Sequence, residues 1–286
     1  MEADTILYKE KCSKLYDLMD RLTKNDTALA FSGGVDSSLL LQAAVKAAEK
    51  NKTRVIAITA DTELHPTGDL TIAKNVAETI GAEHHIIHIS EFDHEEIRKN
   101  PVDRCYLCKK ILFSEMQKKA ESLGVFCLME GTNTDDLHVY RPGLKAIKEL
   151  GVISPMAEAG FTKADVRKLA VEYGIAVADR PSVPCLATRF PYGTWLMPEE
   201  LKKVEQGEAI LKEYNLYNIR LRVHGECARI EVDPEAIPVI IENRLEITEK
   251  LQNLGYAYVS LDLAGFRSGS MDEKLPEAQK QKGKAE

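Results

Sequence analysis

Between an apolar run, Thr27–Phe31, and an amphipathic segment lies the heptapeptide Ser32-Gly33-Gly34-Val35-Asp36-Ser37-Ser38. Adjacent glycines let a backbone turn sharply and approach an anion with no Cβ in the way. The amides at the start of the following helix then face that anion, helped by the positive end of the helix. Ser32, Ser37 and Ser38 add hydroxyl donors, and Asp36 is suited to holding Mg2+. A plain strand-to-helix turn with a Ser or Asp cap is the blander reading. The whole heptapeptide in a strand–loop–helix setting favours phosphate binding instead. No Gly-Lys-Ser/Thr follows, so this is not the loop of motor ATPases and GTPases.

A second chemistry is suggested by sulfur. Cys105-Tyr-Leu-Cys108 opens a helix, and Cys185 lies in the Pro-rich loop from Pro181 to Gly193. Three thiolates can hold a [4Fe-4S] cluster while leaving one iron without a protein ligand, free to carry hydrosulfide. Other readings stay open: Cys185 acting alone as sulfur donor or nucleophile, or a zinc or redox dithiol at Cys105 and Cys108. No second C-x-x-C or histidine pair completes a zinc site, and the fold pattern is not thioredoxin-like. Cys127, within an apolar run, reads as core, and His84, His85 and His88 read as structural.

A third group is cationic. Ile219–Val223 and Ala228–Val232 read as a hairpin in which Val223 opposes Ala228. That register puts Leu221, Ile230 and Val232 on one face and Arg220, Arg222, Arg229 and Glu231 on the other. Arginines on a rigid strand suit phosphate or carboxylate, and Arg267, after the last strand, could join them. The alternative is a solvated sheet face with a cross-strand ion pair.

The elements that must position these groups follow from periodicity. A lead-in helix, Ile6–Leu22, precedes alternating strands (27–31, 54–59, 84–89, 125–129) and helices (37–49, 70–80, 109–123). That alternation predicts a parallel sheet covered on both faces, an α/β domain spanning 1–190. Thr162 with Asp165 forms a capping pair for a helix that Gly174 ends. After Gly193 the order becomes helix (198–214), hairpin, helix (237–251) and strand (256–262), which predicts a smaller α+β domain over 191–268. Residues 269–286, rich in Gly, Lys, Glu and Gln, read as a disordered or loosely docked tail.

Composition bounds the rest. A chain of 286 residues, 44% hydrophobic and 29% charged, is that of a globular protein. No apolar run is long enough to span a membrane, and the acidic N-terminus lacks a secretion signal, so a cytoplasmic location is expected. In a reducing compartment six cysteines are metal ligands, catalytic groups or buried thiols, not a disulfide framework. A net charge of −7 speaks against nucleic acid as partner and for a small-molecule substrate.

The heptapeptide resembles the PP-loop of the ATP pyrophosphatase family, which includes NAD synthetase, GMP synthetase and tRNA thiolases. The resemblance implies an adenine nucleotide alpha hydrolase-like domain that cleaves ATP between its α and β phosphates. Gly131-Thr132-Asn133-Thr134-Asp135-Asp136 resembles the family's second nucleotide motif, and Ala60 and Asp61 fall where the family reads adenine. Tyr140–Lys145, Arg189–Gly193, Arg220–His224 and Gly265–Gly269 narrow the resemblance to the LarE sulfur transferases, over about Ala30 to Gly269.

That family builds the nickel-pincer cofactor of lactate racemase. Resemblance to it implies adenylation of the carboxylates of pyridinium-3,5-biscarboxylic acid mononucleotide and their conversion to thiocarboxylates. It assigns substrate phosphate to Arg220, Arg222 and Arg267, and a divalent ion to Glu231 and Glu208. Some members sacrifice one cysteine sulfur; others use three cysteines and a cluster, the group that Cys105, Cys108 and Cys185 match. A homo-oligomer and an external sulfide or sulfur donor are further implied. The competing expectations are a cluster-using tRNA thiolase and a non-catalytic nucleotide-binding regulator.

Overall fold

The structure, a computed structural model, describes residues 2–273 and 275–277. Helix α1 (Glu2–Leu22) leads into β1 (Thr27–Ala30), α2 (Val35–Asn51), β2 (Val55–Asp61), α3 (Thr67–Ile80) and β3 (Glu83–His88). Helix α4 (Arg104–Ser122) and β4 (Leu128–Met129) follow. The four strands form a parallel sheet in the order β3-β2-β1-β4. Ala28 and Leu29 of β1 are both fully buried, as a central parallel strand covered on both faces requires. On one face Leu15, Met19, Leu39 and Leu40 pack with Val166 and Leu169 of α5 (Lys163–Glu172). On the other, Ile56 and Ile58 meet Phe113 and Met116 of α4.

Thr162 and Asp165 cap α5 reciprocally, as their spacing predicts. The strand expected over 125–129 shortens to Leu128–Met129, because Phe126 turns to solvent, 85% exposed.

The second unit comprises α6 (Pro198–Lys212), β5 (Ile219–His224), β6 (Cys227–Val232), α7 (Arg244–Asn253) and β7 (Tyr258–Leu261). Strands β5 and β6 pair antiparallel with Val223 opposite Ala228, and β7 joins β6 in parallel. The single helix expected over 237–251 breaks at Asn243, which leaves the helical conformation between Ile237–Glu242 and α7. Leu186, Ala187 and Phe190, which precede the expected boundary at 191, pack with Leu201, Val204 and Leu221 in this unit's core. The Cys185 loop therefore runs along the seam between the two units.

The arginine face of the hairpin is largely buried, with only Arg229 keeping a partly exposed side chain. Arg220 and Arg222 are each 7% exposed and Glu231 is fully buried. Loop carbonyls at Ser182 and Thr188 and the hydroxyl of Ser270 cover that face. Of the tail drawn at 269–286, Ser270–Asp272 form a 3-10 turn, while residues 274 and 278–286 lie outside the described residues. Among the described residues no helix is long and apolar enough to cross a membrane.

Candidate active site

Three loops leave the carboxyl ends of β1, β2 and β4 at one edge of the parallel sheet, where open α/β sheets hold ligands. The first is Ser32–Gly34. Gly33 has φ +71, and a Cβ there would lie 2.8 Å from Ala73 Cα and 2.9 Å from Ala73 N, so α3 packs directly on the loop backbone. Ser37 Oγ donates to Gly34 O at 3.2 Å and lies 3.1 Å from Ser32 Oγ, which closes the loop onto the first turn of α2.

Asp61, with Ala60 before it, ends β2 and meets His88 Nδ1 at 2.9 Å. Gly131 follows β4, and a Cβ there would stand 3.0 Å from the Ser37 amide. Buried Glu130 fixes that approach by accepting from the Thr132 amide at 3.0 Å, from the Thr132 hydroxyl at 2.8 Å, and from Ser154. Asp36 accepts from Asn133 Nδ2 at 3.0 Å and forms an ion pair with Lys163, the first residue of α5. Ser32, Gly33, Gly34, Asp36, Ser37, Ser38, Gly131 and Thr132 thus belong to one neighbourhood.

The cysteines converge on a buried cation. Arg104, 1% exposed, places Nη2 at 3.5 Å from both Cys105 Sγ and Cys185 Sγ. Its Nη1 donates to Asn100, which donates in turn to Pro191 O at 2.9 Å. Cys108 Sγ donates to Glu91 Oε1 at 3.1 Å, and the other oxygen of this buried carboxylate accepts the Leu64 amide. Burial pushes the Cys108 thiol well up, and the Glu91 charge adds to it. Burial also raises Cys185, against the pull of Arg104 and Arg189. All six cysteines are free thiols.

The arginines form a cradle around the Cys185 loop. Arg189 is buried in a bidentate pair with Glu208, both contacts 2.8 Å, and its Nη1 donates to Pro184 O at 2.8 Å and Cys185 O at 3.2 Å. Arg220 donates to Ser182 O at 2.9 Å and Ile219 O at 2.6 Å. Burial, then the like charge of Arg189, lowers Arg220 to about 10, against the pull of Glu208 and Glu231. Arg222 donates to Thr188 O and to Glu231, and Arg267 pairs with Glu273 at 2.8 Å nearer the surface.

Glu208 and Glu231, the carboxylates expected to hold a divalent ion, each pair with guanidinium groups, Glu208 with Arg189 and Glu231 with Arg222 and Arg229. Among the described residues no three His, Cys, Asp or Glu side chains gather closely enough to hold a single metal ion.

Arg104, Lys163, Glu91 and Glu130 escape a reading of the sequence. Arg104 adjoins the C-x-x-C and Lys163 adjoins the capping Thr162, signals that become legible only once their partners are known. Glu91 and Glu130 carry no motif signal.

The PP-loop domain family matches residues 7–139. An uncharacterised protein of Synechocystis is 37% identical over 266 residues, 92% of this chain and 98% of that protein. The pyridinium-3,5-bisthiocarboxylic acid mononucleotide synthase of Lactiplantibacillus plantarum is 35% identical over 251 residues, 88% of this chain and 90% of its own. The tRNA-specific 2-thiouridylase MnmA of Ehrlichia canis is 26% identical, with 69% of this chain and 65% of that protein covered. With near full-length coverage at this identity, and with a PP-loop, a cysteine trio and an arginine cradle meeting at one seam, the chain belongs to the LarE family of PP-loop sulfurtransferases.

Proposed function

We propose that this enzyme uses ATP to adenylate the carboxylates of pyridinium-3,5-biscarboxylic acid mononucleotide and replaces the activated oxygen with sulfur, serving nickel-pincer cofactor synthesis. The observation that carries this reading is Arg104 between the sulfurs of Cys105 and Cys185, with the phosphate-type cradle on the adjoining loop carbonyls. The PP-loop amides and serine hydroxyls bind the β and γ phosphates of ATP. Asp36 orients Mg2+ there, and Lys163 offsets the charge that develops on pyrophosphate. A substrate carboxylate oxygen attacks the α phosphorus, the α–β bridge breaks, and pyrophosphate leaves. Arg220, Arg222 and Arg267 hold the substrate phosphate, so the acyl adenylate is presented to the cysteine side. Sulfur then attacks the acyl carbon, and AMP departs with the bond electrons. Leu186, Ala187 and Phe190, buried on the Cys185 loop, help keep water from that mixed anhydride.

A [4Fe-4S] cluster held by Cys105, Cys108 and Cys185 supplies the hydrosulfide nucleophile when bound. The donor set fits it: each cysteine of a cluster takes a different iron, so the thiols need not gather on one point as they must for a single ion. Arg104 offers a fixed positive charge to the anionic assembly. The reading extends to a cytoplasmic homo-oligomer recharged by external sulfide.

The test is anaerobic purification followed by iron and acid-labile sulfide assays on the native protein and Cys185→Ser. Near-stoichiometric cluster lost in the variant supports the reading. Iron-free protein after reconstitution overturns it and leaves Cys185 as a sacrificial donor, seen as a mass loss after one turnover.

A further inference from the structure

The turn Ser270–Glu273 touches the substrate side of the site at three points. Ser270 Oγ accepts from Arg222 Nη2 at 2.8 Å, Glu273 pairs with Arg267 at 2.8 Å, and Asp272 Oδ1 accepts from the hydroxyl of Tyr192 at 2.6 Å. The first two contacts occupy two of the three arginines assigned above to phosphate, Arg222 and Arg267. The third places a carboxylate on a tyrosine whose other electrostatic neighbours are Cys105 and Arg104. Within one short turn, Glu273 lies on one of the arginines assigned to phosphate and Asp272 on Tyr192, so the turn carries two anionic groups, as a carboxylated mononucleotide does.

Tyr192 is held for such a role. Asn100, fully buried, donates to the carbonyls of Phe190 and Pro191 on one side of Tyr192 and accepts the Gly193 amide at 2.9 Å on the other. Arg104 donates to the same Asn100 while it contacts the sulfurs of Cys105 and Cys185. One chain of hydrogen bonds therefore sets where the phenol stands relative to the sulfurs. A phenol O–H discriminates well here, because it donates to a carboxylate and gains less from a carboxamide.

We propose that Tyr192 reads the substrate carboxylate and that Asp272 of the chain's own C-terminal turn holds that position until substrate displaces the turn. This rests on the pyridinium mononucleotide reading given above.

The experiment measures calorimetric binding of nicotinic acid mononucleotide, its carboxamide counterpart nicotinamide mononucleotide, and inorganic phosphate to the full chain. Tyr192→Phe, which removes one hydroxyl and with it the Asp272 contact, is expected to erase about tenfold of the preference for the carboxylate over the carboxamide ligand, the scale of a hydrogen bond to a charged group. The pair Asp272→Asn with Glu273→Gln is expected to tighten the carboxylate ligand several-fold, with a smaller gain for phosphate. Equal effects of Tyr192→Phe on both mononucleotides, or no gain from the tail pair, overturn the assignment. If ATP binds the native protein but neither mononucleotide does, the substrate reading itself fails, and this inference with it.

Discussion

Arg104 and Cys185 stand 81 positions apart in the chain, yet Nη2 of one lies 3.5 Å from Sγ of the other. The contact crosses the seam between the sheet domain and the smaller unit, and it sets the chemistry of the thiol. Burial raises Cys185, and the Arg104 charge works against that rise. Arg104→Gln is therefore expected to lower the thiolate fraction. Alkylation of Cys185 at pH 8, followed by peptide mass mapping, should slow several-fold in the variant, with Cys12 as the internal reference. An unchanged rate would show that the guanidinium does not govern the thiol.

The bidentate pair of Arg189 with Glu208 is buried on both sides, which makes its halves unequal to remove. Glu208→Ala leaves a buried guanidinium uncompensated and deprives the Leu221 amide of its acceptor. A loss of about 3–5 kcal/mol is expected from urea unfolding. Replacing both partners with apolar residues, Arg189→Met with Glu208→Leu, should recover most of that loss while abolishing the loop contacts to Pro184 O and Cys185 O. Equal destabilisation in the single and double variants would contradict the assignment of the loss to a stranded charge.

These two pairs mark where the sequence stops being legible. The PP-loop could be read because paired glycines between a strand and a helix have few other uses, and the hairpin register because alternation leaves one choice that buries Leu221, Ile230 and Val232. The parallel sheet followed from the alternation of elements. That Arg220, Arg222 and Glu231 are buried could not be read, since what covers them arrives from positions 182–188 and 270. Lys163 was hidden for the same reason: its partner Asp36 is 127 positions away. Long-range charge pairing leaves no periodic trace in a single sequence.

Gly33 offers a test of the nucleotide loop. Alanine there meets a left-handed backbone, which costs about 1–2 kcal/mol, and adds a clash with the Cα and N of Ala73. Because the obstacle is backbone, Ala73→Gly should not rescue Gly33→Ala. Gly68, in the same helix α3 with open space around it, serves as the control: Gly68→Ala should stabilise by about 0.5–1 kcal/mol. Calorimetric ATP binding is expected to disappear in Gly33→Ala and to persist in Gly68→Ala. Restoration of binding in the Gly33→Ala, Ala73→Gly pair would mean that the side chain, not the helix backbone, sets the limit.

The cap of α5 gives the pH prediction. Burial alone would raise the Asp165 carboxyl, but the Lys11 ammonium at 2.6 Å and the Thr162 amide and hydroxyl outweigh it and hold the group below 3.8. A carboxyl depressed by folding adds stability that is fully present above its unfolded value and fades as pH falls through the folded one. Asp165→Ala should therefore cost about 1 kcal/mol near pH 7, the usual worth of a cap. The gap between variant and native protein should close as pH drops below about 3.8. Because α5 begins at Lys163, beside Asp36, a frayed cap should also weaken ATP binding at neutral pH. Urea unfolding of both proteins between pH 7 and pH 3 decides the matter, and a gap that stays constant across that range would assign the stability to packing instead of the charged cap.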